Sequence, residues 1–276
     1  MTYKCILADL DGTLLRSDKT ISPETKKFLE DFMADGGIFV PATGRALFSL
    51  PANILELNGV RYAITENGVS VIDLNTRKAI FQTYLPEHCV TGILELIKDK
   101  QAVIECFVDG QPYIDSYDYN NWGVRGGHPK REQYVKSTRK PVDDIRSFIL
   151  NNKHRMDCID LTVDSSRREE IADKLKATLP EIYITNSEID LLEISNINSG
   201  KHVGIPVICE LYKITPDEII AFGDNDNDVE MLKHVGLGVA VANCSDKCRE
   251  AADVITLSNN EDGMLLELKK HFNIQS

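Results

Sequence analysis

Two aspartates near the start of the chain follow an apolar run and lie on either side of a leucine, directly before a glycine. Residues 5–15 read Cys-Ile-Leu-Ala-Asp-Leu-Asp-Gly-Thr-Leu-Leu, and the apolar residues indicate a buried strand of a parallel sheet. Asp9 and Asp11 lie at the end of this strand, where a carboxylate needs a metal ion, a cation or hydrogen-bond donors. Gly12 allows a sharp turn at the carboxyl edge of the sheet, where open α/β folds bind ligands. We therefore expect a ligand site at this edge.

A threonine and a lysine elsewhere in the chain offer the hydrogen bonds and the positive charge that an anionic ligand needs. Thr43 follows the apolar strand predicted at residues 38–41. Because parallel strands place their carboxyl ends on one edge, we expect Thr43 to lie close to Asp9. Lys201 lies at the start of a helix predicted to end at Leu211.

An acidic cluster follows another apolar strand, predicted at residues 219–222. Residues 223–228 read Gly-Asp-Asn-Asp-Asn-Asp and precede a predicted helix. An EF-hand calcium loop is excluded, because Val229 stands where the sharp-turn glycine is needed and Val235 where the final glutamate is needed. The cluster still offers the oxygen ligands that a hard divalent cation prefers.

Strands and helices alternate in the segments that carry these residues. Strands are predicted at residues 6–8 and 38–41, and between them a helix begins at Pro23, where Ser22 can cap it. A second helix is predicted at residues 46–57. A strand, a helix, a strand and a helix in this order predict a parallel sheet with right-handed crossovers. The sequence therefore predicts an α/β fold.

The pattern changes in the middle of the chain. Between residues 84 and 185 helices alternate with paired strands, and an Asp-Gly pair at 109–110 indicates a hairpin. We expect residues 84–185 to form an inserted α+β domain, and residues 1–83 and 186–276 to form the core. The core would include a strand predicted at residues 191–194.

A polar stretch at residues 116–140, inside the middle block, is too long to be only a connection. It contains Trp122, Arg125 and His128 together with several tyrosines. Long loops often carry function, so this stretch either contacts a substrate or forms an irregular surface excursion.

Composition limits the partners and the compartment of the protein. The chain has 276 residues, with 31 Lys and Arg against 43 Asp and Glu, and a formal net charge of −12. This charge argues against a nucleic-acid backbone or an anionic membrane as partner. Seven cysteines are odd in number and lack metal-ligand spacing, which indicates free thiols in a reducing cytosol. Without a signal peptide or an apolar run of about 20 residues, we expect a cytoplasmic protein.

Taken together and in this order, the motifs resemble those of the haloacid dehalogenase-like superfamily of phosphotransferases, and within it the Cof-type phosphatases with a large α/β (C2B-type) cap. The resemblance runs over the whole chain and is weakest in the middle block. The matching segments are Asp9-Leu10-Asp11-Gly12-Thr13-Leu14, Thr43-Gly44-Arg45, Lys201, and Gly223-Asp224-Asn225-Asp226-Asn227-Asp228 with Met231-Leu232. Gly200 and His202 depart from the serine and glycine that commonly flank the family's lysine. The resemblance implies a doubly wound, Rossmann-like core with the middle block inserted as a cap.

The same resemblance implies an aspartyl-phosphate mechanism. Asp9 would attack phosphorus as the nucleophile, and Asp11 would protonate the leaving oxygen and then take a proton from the hydrolytic water. Asp11 must then be protonated while Asp9 is ionised, and metal ligation of Asp9 alone favours that order of pKa values. Lys201 and Thr43 would hold the phosphoryl oxygens.

Magnesium is the cofactor that this resemblance implies, since Mg²⁺ prefers oxygen ligands in octahedral geometry. Its ligands would be Asp9, the backbone carbonyl of Asp11, Asp224 and, directly or through water, Asp228. The implied substrate-binding residues are Gly12, Thr43, Gly44, Arg45, Lys201 and Asn227. Asn227 would orient Lys201 or a phosphate oxygen.

We therefore expect a magnesium-dependent phosphatase that acts on a small phosphorylated metabolite such as a sugar phosphate, as a monomer or weak homodimer. A phosphomutase of the same superfamily would carry similar motifs. A non-catalytic regulator that binds a phosphorylated ligand is a second alternative, although such a binder has no need of a nucleophile beside a general acid.

Overall fold

The computed structural model describes residues 3–98, 102–124 and 128–272. The strands among these residues are β1 (Cys5–Ala8), β2 (Ile38–Pro41), β3 (Tyr62–Thr65), β4 (Ser70–Asp73), β5 (Lys78–Gln82), β6 (Val103–Val108), β7 (Gln111–Asp115), β8 (Lys140–Val142), β9 (Met156–Thr162), β10 (Ile182–Thr185), β11 (Leu191–Asn196), β12 (Ile219–Gly223), β13 (Leu237–Ala240) and β14 (Val254–Ile255). The helices are α1 (Pro23–Ala34), α2 (Ala52–Leu55), α3 (Glu87–Leu96), α4 (Ser116–Asn120), α5 (Pro129–Thr138), α6 (Ile145–Asn152), α7 (Arg168–Thr178), α8 (Gly204–Tyr212), α9 (Val229–Lys233), α10 (Asp246–Ala251) and α11 (Gly263–His271).

The chain forms two compact units. Unit 1 comprises Met1–Arg45, Leu50–Gln82 and Gly200–Ser276, and unit 2 comprises Ala46–Ser49 and Thr83–Ser199. Within the described residues, no helix is both long and apolar enough to cross a membrane.

Unit 1 is built on a parallel sheet with the strand order β14-β13-β12-β1-β2. Its strands are almost continuously apolar, and every residue of β1, β2 and β12 is buried. Such strands are typical of a parallel sheet that is covered on both faces. The predicted α/β fold is therefore confirmed.

The first crossover helix of unit 1 follows the sequence signals closely. The Ser22 hydroxyl accepts the Thr25 N–H at 3.1 Å, and Pro23 occupies the first helical turn. Helix α1 buries Phe28, Leu29 and Phe32 on one face. This face covers the sheet and places β2 beside β1, so that the ends of both strands lie on the same edge.

A small antiparallel sheet, in the order β3-β4-β5, completes the first half of unit 1. Its strand β3 lies next to the end of β2, because Thr43 N–H donates to the Ile64 carbonyl at 2.9 Å.

One prediction for the segment after β2 was wrong. The apolar pattern of residues 46–57 predicts a single helix, but Pro51 interrupts it and only the short α2 follows.

Unit 2 is a six-stranded sheet in the order β10-β11-β9-β6-β7-β8, in which only the β7–β8 pair is parallel. Apolar residues of α3, α6 and α7 pack with one face of this sheet, including Ile93, Ile149 and Leu175. The predicted hairpin is present, with Asp109 and Gly110 both at positive φ between β6 and β7.

The structure corrects the expected boundary at residue 186. Strand β11 was expected in the core, but it pairs with β9 and β10 of unit 2. Unit 2 therefore extends to Ser199. In strand β11 only Glu193 and Asn196 are half-buried, and the other four residues are buried.

The polar stretch at 116–140 contains α4 and α5 rather than an irregular loop. Trp122 is 1% exposed, packs with Val103 and Val135, and donates its indole N–H to the His128 carbonyl at 3.0 Å. Trp122 is therefore part of the core of unit 2. Arg125 lies outside the described residues.

Candidate active site

The carboxyl edge of the parallel sheet in unit 1 brings the predicted acidic residues together. Strands β1 and β12 are neighbours in register, with Ala8 opposite Phe222. Asp9 continues this ladder, since its N–H donates to the Phe222 carbonyl at 3.0 Å. Asp224 follows β12 directly, so Asp9 and Asp224 leave adjacent strands at the same edge.

Lys201 reaches this edge from the start of the 3₁₀ turn Lys201–Val203, which precedes α8. Its side chain is 0% exposed, and its Nζ lies 2.6 Å from Asp9 Oδ1 and 2.5 Å from Asp228 Oδ1. Burial would lower the pKa of Lys201, but the carboxylates of Asp228 and Asp9 raise it above its ordinary value. The two carboxylates therefore favour the charged ammonium form of Lys201.

Asp228 orders the loop that carries it. Its Oδ2 accepts the backbone N–H of Asp224 at 3.0 Å and that of Asn225 at 3.1 Å, while Oδ1 accepts from Lys201. The side chain is 0% exposed. Because both oxygens have donors, Asp228 positions Lys201 and the turn at Asp224.

Three carboxylates form a cluster that suits a divalent cation. One oxygen each of Asp9, Asp224 and Asp228 lies within 4.8 Å of the others. Burial raises the pKa of Asp9 well above its ordinary value, and Asp228 and Asp224 add to this effect while Lys201 opposes it. Burial and Asp228 also raise the pKa of Asp224 to about 6. A crowded, buried set of oxygen donors of this kind fits a hard cation such as Mg²⁺.

The Asp11 carboxylate contacts two cationic side chains and not the acidic cluster. Arg45 Nε donates to Asp11 Oδ2 at 2.6 Å and Arg45 Nη2 donates to Oδ1 at 2.8 Å. Lys19 Nζ also donates to Oδ1, at 2.8 Å. Burial would raise the pKa of Asp11, but Arg45 and Lys19 lower it to about 2.

This ion-pair cluster bears on two sequence-based expectations, and both stay predictions. Asp11 was expected to hold a proton while Asp9 is ionised, whereas its pKa is lowered and that of Asp9 is raised. Arg45 was expected to contact substrate, whereas its guanidinium binds the Asp11 carboxylate. Opposite charges close to Asp11 favour its ionised form.

The turn after β2 is tied to the turn after β3. The Thr43 hydroxyl accepts the Arg45 N–H at 3.1 Å, and the Thr43 carbonyl accepts the Asn67 N–H at 3.0 Å. Thr43 is 1% exposed, and Gly44 beside it is half-buried. Thr43 therefore lies on the same edge as Asp9, as the order of the strands predicts.

Asn227 was expected to orient Lys201 or a phosphate oxygen, but it donates to Asn67 Oδ1 at 2.9 Å. The carbonyl of Asn67 in turn accepts the Gly200 N–H at 2.8 Å. Asn67 thus links the acidic loop to the residue before Lys201. Its backbone is left-handed, with φ 53° and ψ 38°, a conformation that Asn tolerates better than most residues.

Gly12 is required by the space around it. Its φ is +92°, and a Cβ at this position would lie 2.4 Å from Asp224 Oδ2. The peptide chain therefore approaches the Asp224 carboxylate as closely as only glycine permits.

Sequence reasoning missed several residues that build the site. The Thr13 hydroxyl donates to Asp224 Oδ1 at 3.0 Å, and Lys19 binds Asp11. Asn67 lies in a Glu-Asn-Gly turn that the sequence shows but that assigns no role by itself. Nothing in the sequence around Lys19 separates it from other surface lysines.

Comparison with known proteins gives consistent matches over nearly the whole chain. A sequence model of the haloacid dehalogenase-like hydrolases matches residues 6–268. A Haemophilus influenzae protein named "Putative phosphatase" is 31% identical over 278 residues, which cover 99% of this chain and 99% of that protein. A Bacillus subtilis 5-amino-6-(5-phospho-D-ribitylamino)uracil phosphatase is 27% identical, with 98% and 97% covered. The crystal structure of a haloacid dehalogenase-like hydrolase from Bacteroides thetaiotaomicron has a TM-score of 0.82 at 25% identity, with 98% and 100% covered.

Proposed function

Since the chain belongs to the haloacid dehalogenase-like hydrolases and is a phosphatase, we propose that it hydrolyses a small phosphorylated metabolite through a phosphorylated Asp9. The observation that carries this proposal is the position of Lys201, whose ammonium lies 2.6 Å from the Asp9 carboxylate in a buried setting. A carboxylate is a known covalent nucleophile, and here a fixed cation accompanies it.

The proposed reaction has two steps at Asp9. A carboxylate oxygen of Asp9 forms a bond to phosphorus while the bond between phosphorus and the leaving oxygen breaks. Water then attacks phosphorus, which releases inorganic phosphate and restores the carboxylate. Lys201 offsets the negative charge of the attacking group and of the transferring phosphoryl oxygens. The Thr43 hydroxyl would donate a hydrogen bond to the same oxygens.

A divalent cation, which we propose to be Mg²⁺, would be held by Asp9 and Asp224, with the carbonyl of Asp11 as a further ligand. Asp228 would act on the ion through water, because its two oxygens already accept three hydrogen bonds. When bound, the cation supplies positive charge that reduces repulsion between the Asp9 carboxylate and the phosphate. The raised pKa of Asp9 and of Asp224 supports this proposal, since crowded buried carboxylates favour a cation.

Asp11 is the proposed proton donor and acceptor, and its contacts suggest how its protonation is controlled. Arg45 and Lys19 hold Asp11 ionised. A substrate phosphate that bound Arg45 would compete with Asp11 for the guanidinium, because arginine binds phosphate and carboxylate with the same bidentate geometry. Release from Arg45 would raise the pKa of Asp11 towards the range in which it can protonate the leaving oxygen.

Unit 2, the inserted domain, is proposed to contribute to the choice of leaving group. A named relative acts on a phosphorylated ribityl compound, and a sugar phosphate or a similar ester is the proposed substrate class here. We further propose a cytoplasmic monomer or weak homodimer. The excess of acidic residues and seven unpaired cysteines support a reducing compartment without nucleic acid as partner.

The test is the variant Asp9→Asn. The control is Asp31→Asn, because Asp31 lies on helix α1 and pairs with the exposed Lys27 at 2.5 Å. With p-nitrophenyl phosphate and added Mg²⁺, we expect phosphate release to fall by at least about 10³-fold in Asp9→Asn and to be unchanged in the control. Retained activity in Asp9→Asn would exclude Asp9 as the nucleophile. A transfer of phosphate within a sugar phosphate, without release, would instead identify a phosphomutase, and binding without either reaction would identify a regulator.

A further inference from the structure

The Glu66–Gly68 turn, between β3 and β4, has three consecutive residues at positive φ. The φ values are 53° for Glu66, 53° for Asn67 and 86° for Gly68. Glycine adopts such values freely, whereas other residues pay in folding stability and keep them only where neighbouring contacts hold the backbone, frequently at functional sites. The turn belongs to unit 1, which also contains Thr43 and Lys201.

One side of the turn is bound to the segment that follows β2. The Asn67 N–H donates to the Thr43 carbonyl at 3.0 Å, and the Glu66 N–H donates to the Arg45 carbonyl at 3.0 Å. Both donors belong to the backbone, so these bonds do not depend on the side chains of the turn. They fix Asn67 relative to Thr43.

The other side of the turn lies against the residue before Lys201. The Asn67 carbonyl accepts the Gly200 N–H at 2.8 Å. A Cβ on Gly68 would lie 2.0 Å from the Gly200 carbonyl oxygen and 3.0 Å from the Lys201 backbone nitrogen. The turn and the Gly200–Lys201 peptide therefore pack together as closely as glycine permits, and the backbone of Asn67 is fixed relative to Lys201 as well.

The Asn67 side chain contacts the acidic loop at residues 224–228. Its Oδ1 accepts a hydrogen bond from Asn227 Nδ2 at 2.9 Å. The Oδ1 of Asn227 is itself buried, and among residues 3–98, 102–124 and 128–272 it has no hydrogen-bond donor. A buried acceptor without a donor costs stability, so its presence beside a candidate active site indicates a donor that arrives with the ligand.

We propose that Asn67 is a positioning residue for phosphoryl transfer, and that it acts through Asn227. Because the Asn67 backbone is bound to the segments of Thr43 and Lys201, its side chain gives Asn227 a partner in a fixed position. This hydrogen bond fixes the rotation of the Asn227 amide, so that its Oδ1 keeps one orientation towards an O–H or N–H donor in the substrate complex. The inference rests on the function proposed above.

The test removes the Asn67 side chain and keeps its backbone. Asn67→Gly retains the main-chain hydrogen bonds to Thr43 and Gly200, because glycine adopts a φ of 53° freely. With p-nitrophenyl phosphate and added Mg²⁺, we expect kcat to fall by about 10- to 100-fold while KM changes by less than about threefold. A misplaced group slows the chemical step more than it weakens ground-state binding.

Lys213→Gly is the matched backbone control. Lys213 has nearly the same conformation as Asn67, with φ 55° and ψ 44°, but it lies at the end of α8 and is exposed. We expect kcat and KM of this variant to equal those of the wild-type protein. An equal loss of kcat in Lys213→Gly and Asn67→Gly would contradict a role of the Asn67 side chain, because glycine in the backbone would then be the cause.

Asn227→Ala tests whether Asn67 acts through Asn227. We expect this variant to lower kcat at least as much as Asn67→Gly does. The double variant should lower kcat no further than Asn227→Ala alone, because the hydrogen bond is already lost in each single variant. A wild-type kcat in Asn227→Ala, or a loss in the double variant equal to the product of the two single losses, would overturn the inference.

The Asp9→Asn variant distinguishes failure of this inference from failure of the proposed function. An unchanged kcat in Asn67→Gly, with Asp9→Asn inactive, would remove the positioning role and leave the function at Asp9 intact. Activity retained in Asp9→Asn would instead contradict the proposed function, together with the phosphoryl transfer that Asn67 is proposed to support.

Discussion

The replacement of Lys201 by methionine tests the charge balance at the candidate active site. Methionine keeps most of the length and apolar volume of the side chain but removes the ammonium that lies between Asp9 and Asp228. The two carboxylates remain at 6% and 0% exposure without their cation. Removing one member of a buried ion pair leaves an uncompensated buried charge, which costs about 3–5 kcal/mol.

The pH dependence of this cost follows from the pKa shifts. The pKa of Lys201 is raised, so its contribution is fully present below the unfolded pKa and is constant between pH 5 and pH 8. In Lys201→Met, burial, Asp228 and Asp224 all raise the pKa of Asp9, with nothing from Lys201 to oppose them. A raised carboxyl pKa means that folding stability falls as the pH increases above the unfolded value. The variant should therefore lose more stability at pH 8 than at pH 5.

Urea unfolding with EDTA present is the appropriate assay, because a bound divalent ion would mask the effect. At about 2–4 °C per kcal/mol for a unit of this size, the melting temperature at pH 8 should also fall by at least about 6 °C. Lys247→Met is the matched control, since Lys247 pairs with Asp226 at 2.7 Å but its side chain is 74% exposed. An exposed pair contributes below about 1 kcal/mol, so the control should change little.

A loss below about 1 kcal/mol in Lys201→Met would refute this reasoning, because it would mean that the carboxylates need no cation. The double variant Lys201→Met with Asp228→Asn gives a further check. It leaves one carboxylate of the pair, so part of the lost stability should return as a coupling energy of about 0.5–3 kcal/mol. Strict additivity of the two single variants would contradict a direct interaction at 2.5 Å.

Three further outcomes are expected. In Arg45→Gln the pKa of Asp11 should rise from about 2 towards its ordinary 3.8, which carboxyl ¹³C NMR would detect. A lowered carboxyl pKa stabilises the fold at pH values above the pKa of the unfolded chain. The variant should therefore lose more stability at pH 7 than at pH 2. Gly12→Ala should weaken Mg²⁺ binding by at least about tenfold in calorimetry, since the added Cβ would lie 2.4 Å from the Asp224 carboxylate. Gly36→Ala is the control, because Gly36 also has a positive φ, of +90°, but a Cβ there would meet no atom within 4 Å. This control should lose only about 1 kcal/mol of folding stability, the cost of the backbone conformation. Adding Mg²⁺ at 100 times its Kd to EDTA-treated protein should stabilise the fold by about 2.7 kcal/mol, and no change in melting temperature would contradict a metal site at the acidic cluster.

The parts of the fold that depend on local pattern could be predicted from the sequence. The strand at residues 38–41 was predicted at its observed bounds, because an apolar run that ends in a small polar turn is a local signal. The meeting of Asp9 and Asp224 followed from the parallel order of the strands, because carboxyl ends share an edge. These inferences needed only periodicity and topology.

The features that the sequence did not predict concern choices that the local pattern does not determine. Strand β11 carries the same apolar signal as a core strand, and only pairing with β9 and β10 assigns it to unit 2. The partner of Arg45 depends on which carboxylate lies within reach, and residues 11 and 45 are separated by 34 positions. Asn227 likewise donates a hydrogen bond to Asn67, 160 positions away. Ion pairs and side-chain hydrogen bonds at such separations depend on the assembled fold.

The assembled charges divide the site into two parts with different preferences. When all three carboxylates are ionised, Asp9, Asp224 and Asp228 exceed the single ammonium of Lys201 by two negative charges, so this part favours a divalent cation. Asp11 instead meets the two cations Arg45 and Lys19, so that part has an excess of one positive charge and favours an anion. A phosphate ester with a bound divalent ion satisfies both parts together, because its phosphoryl oxygens and the ion have opposite charge. Burial and the neighbouring carboxylates of Asp9, and the cations beside Asp11, therefore shift the pKa values of these two aspartates in opposite directions, although they lie only two residues apart.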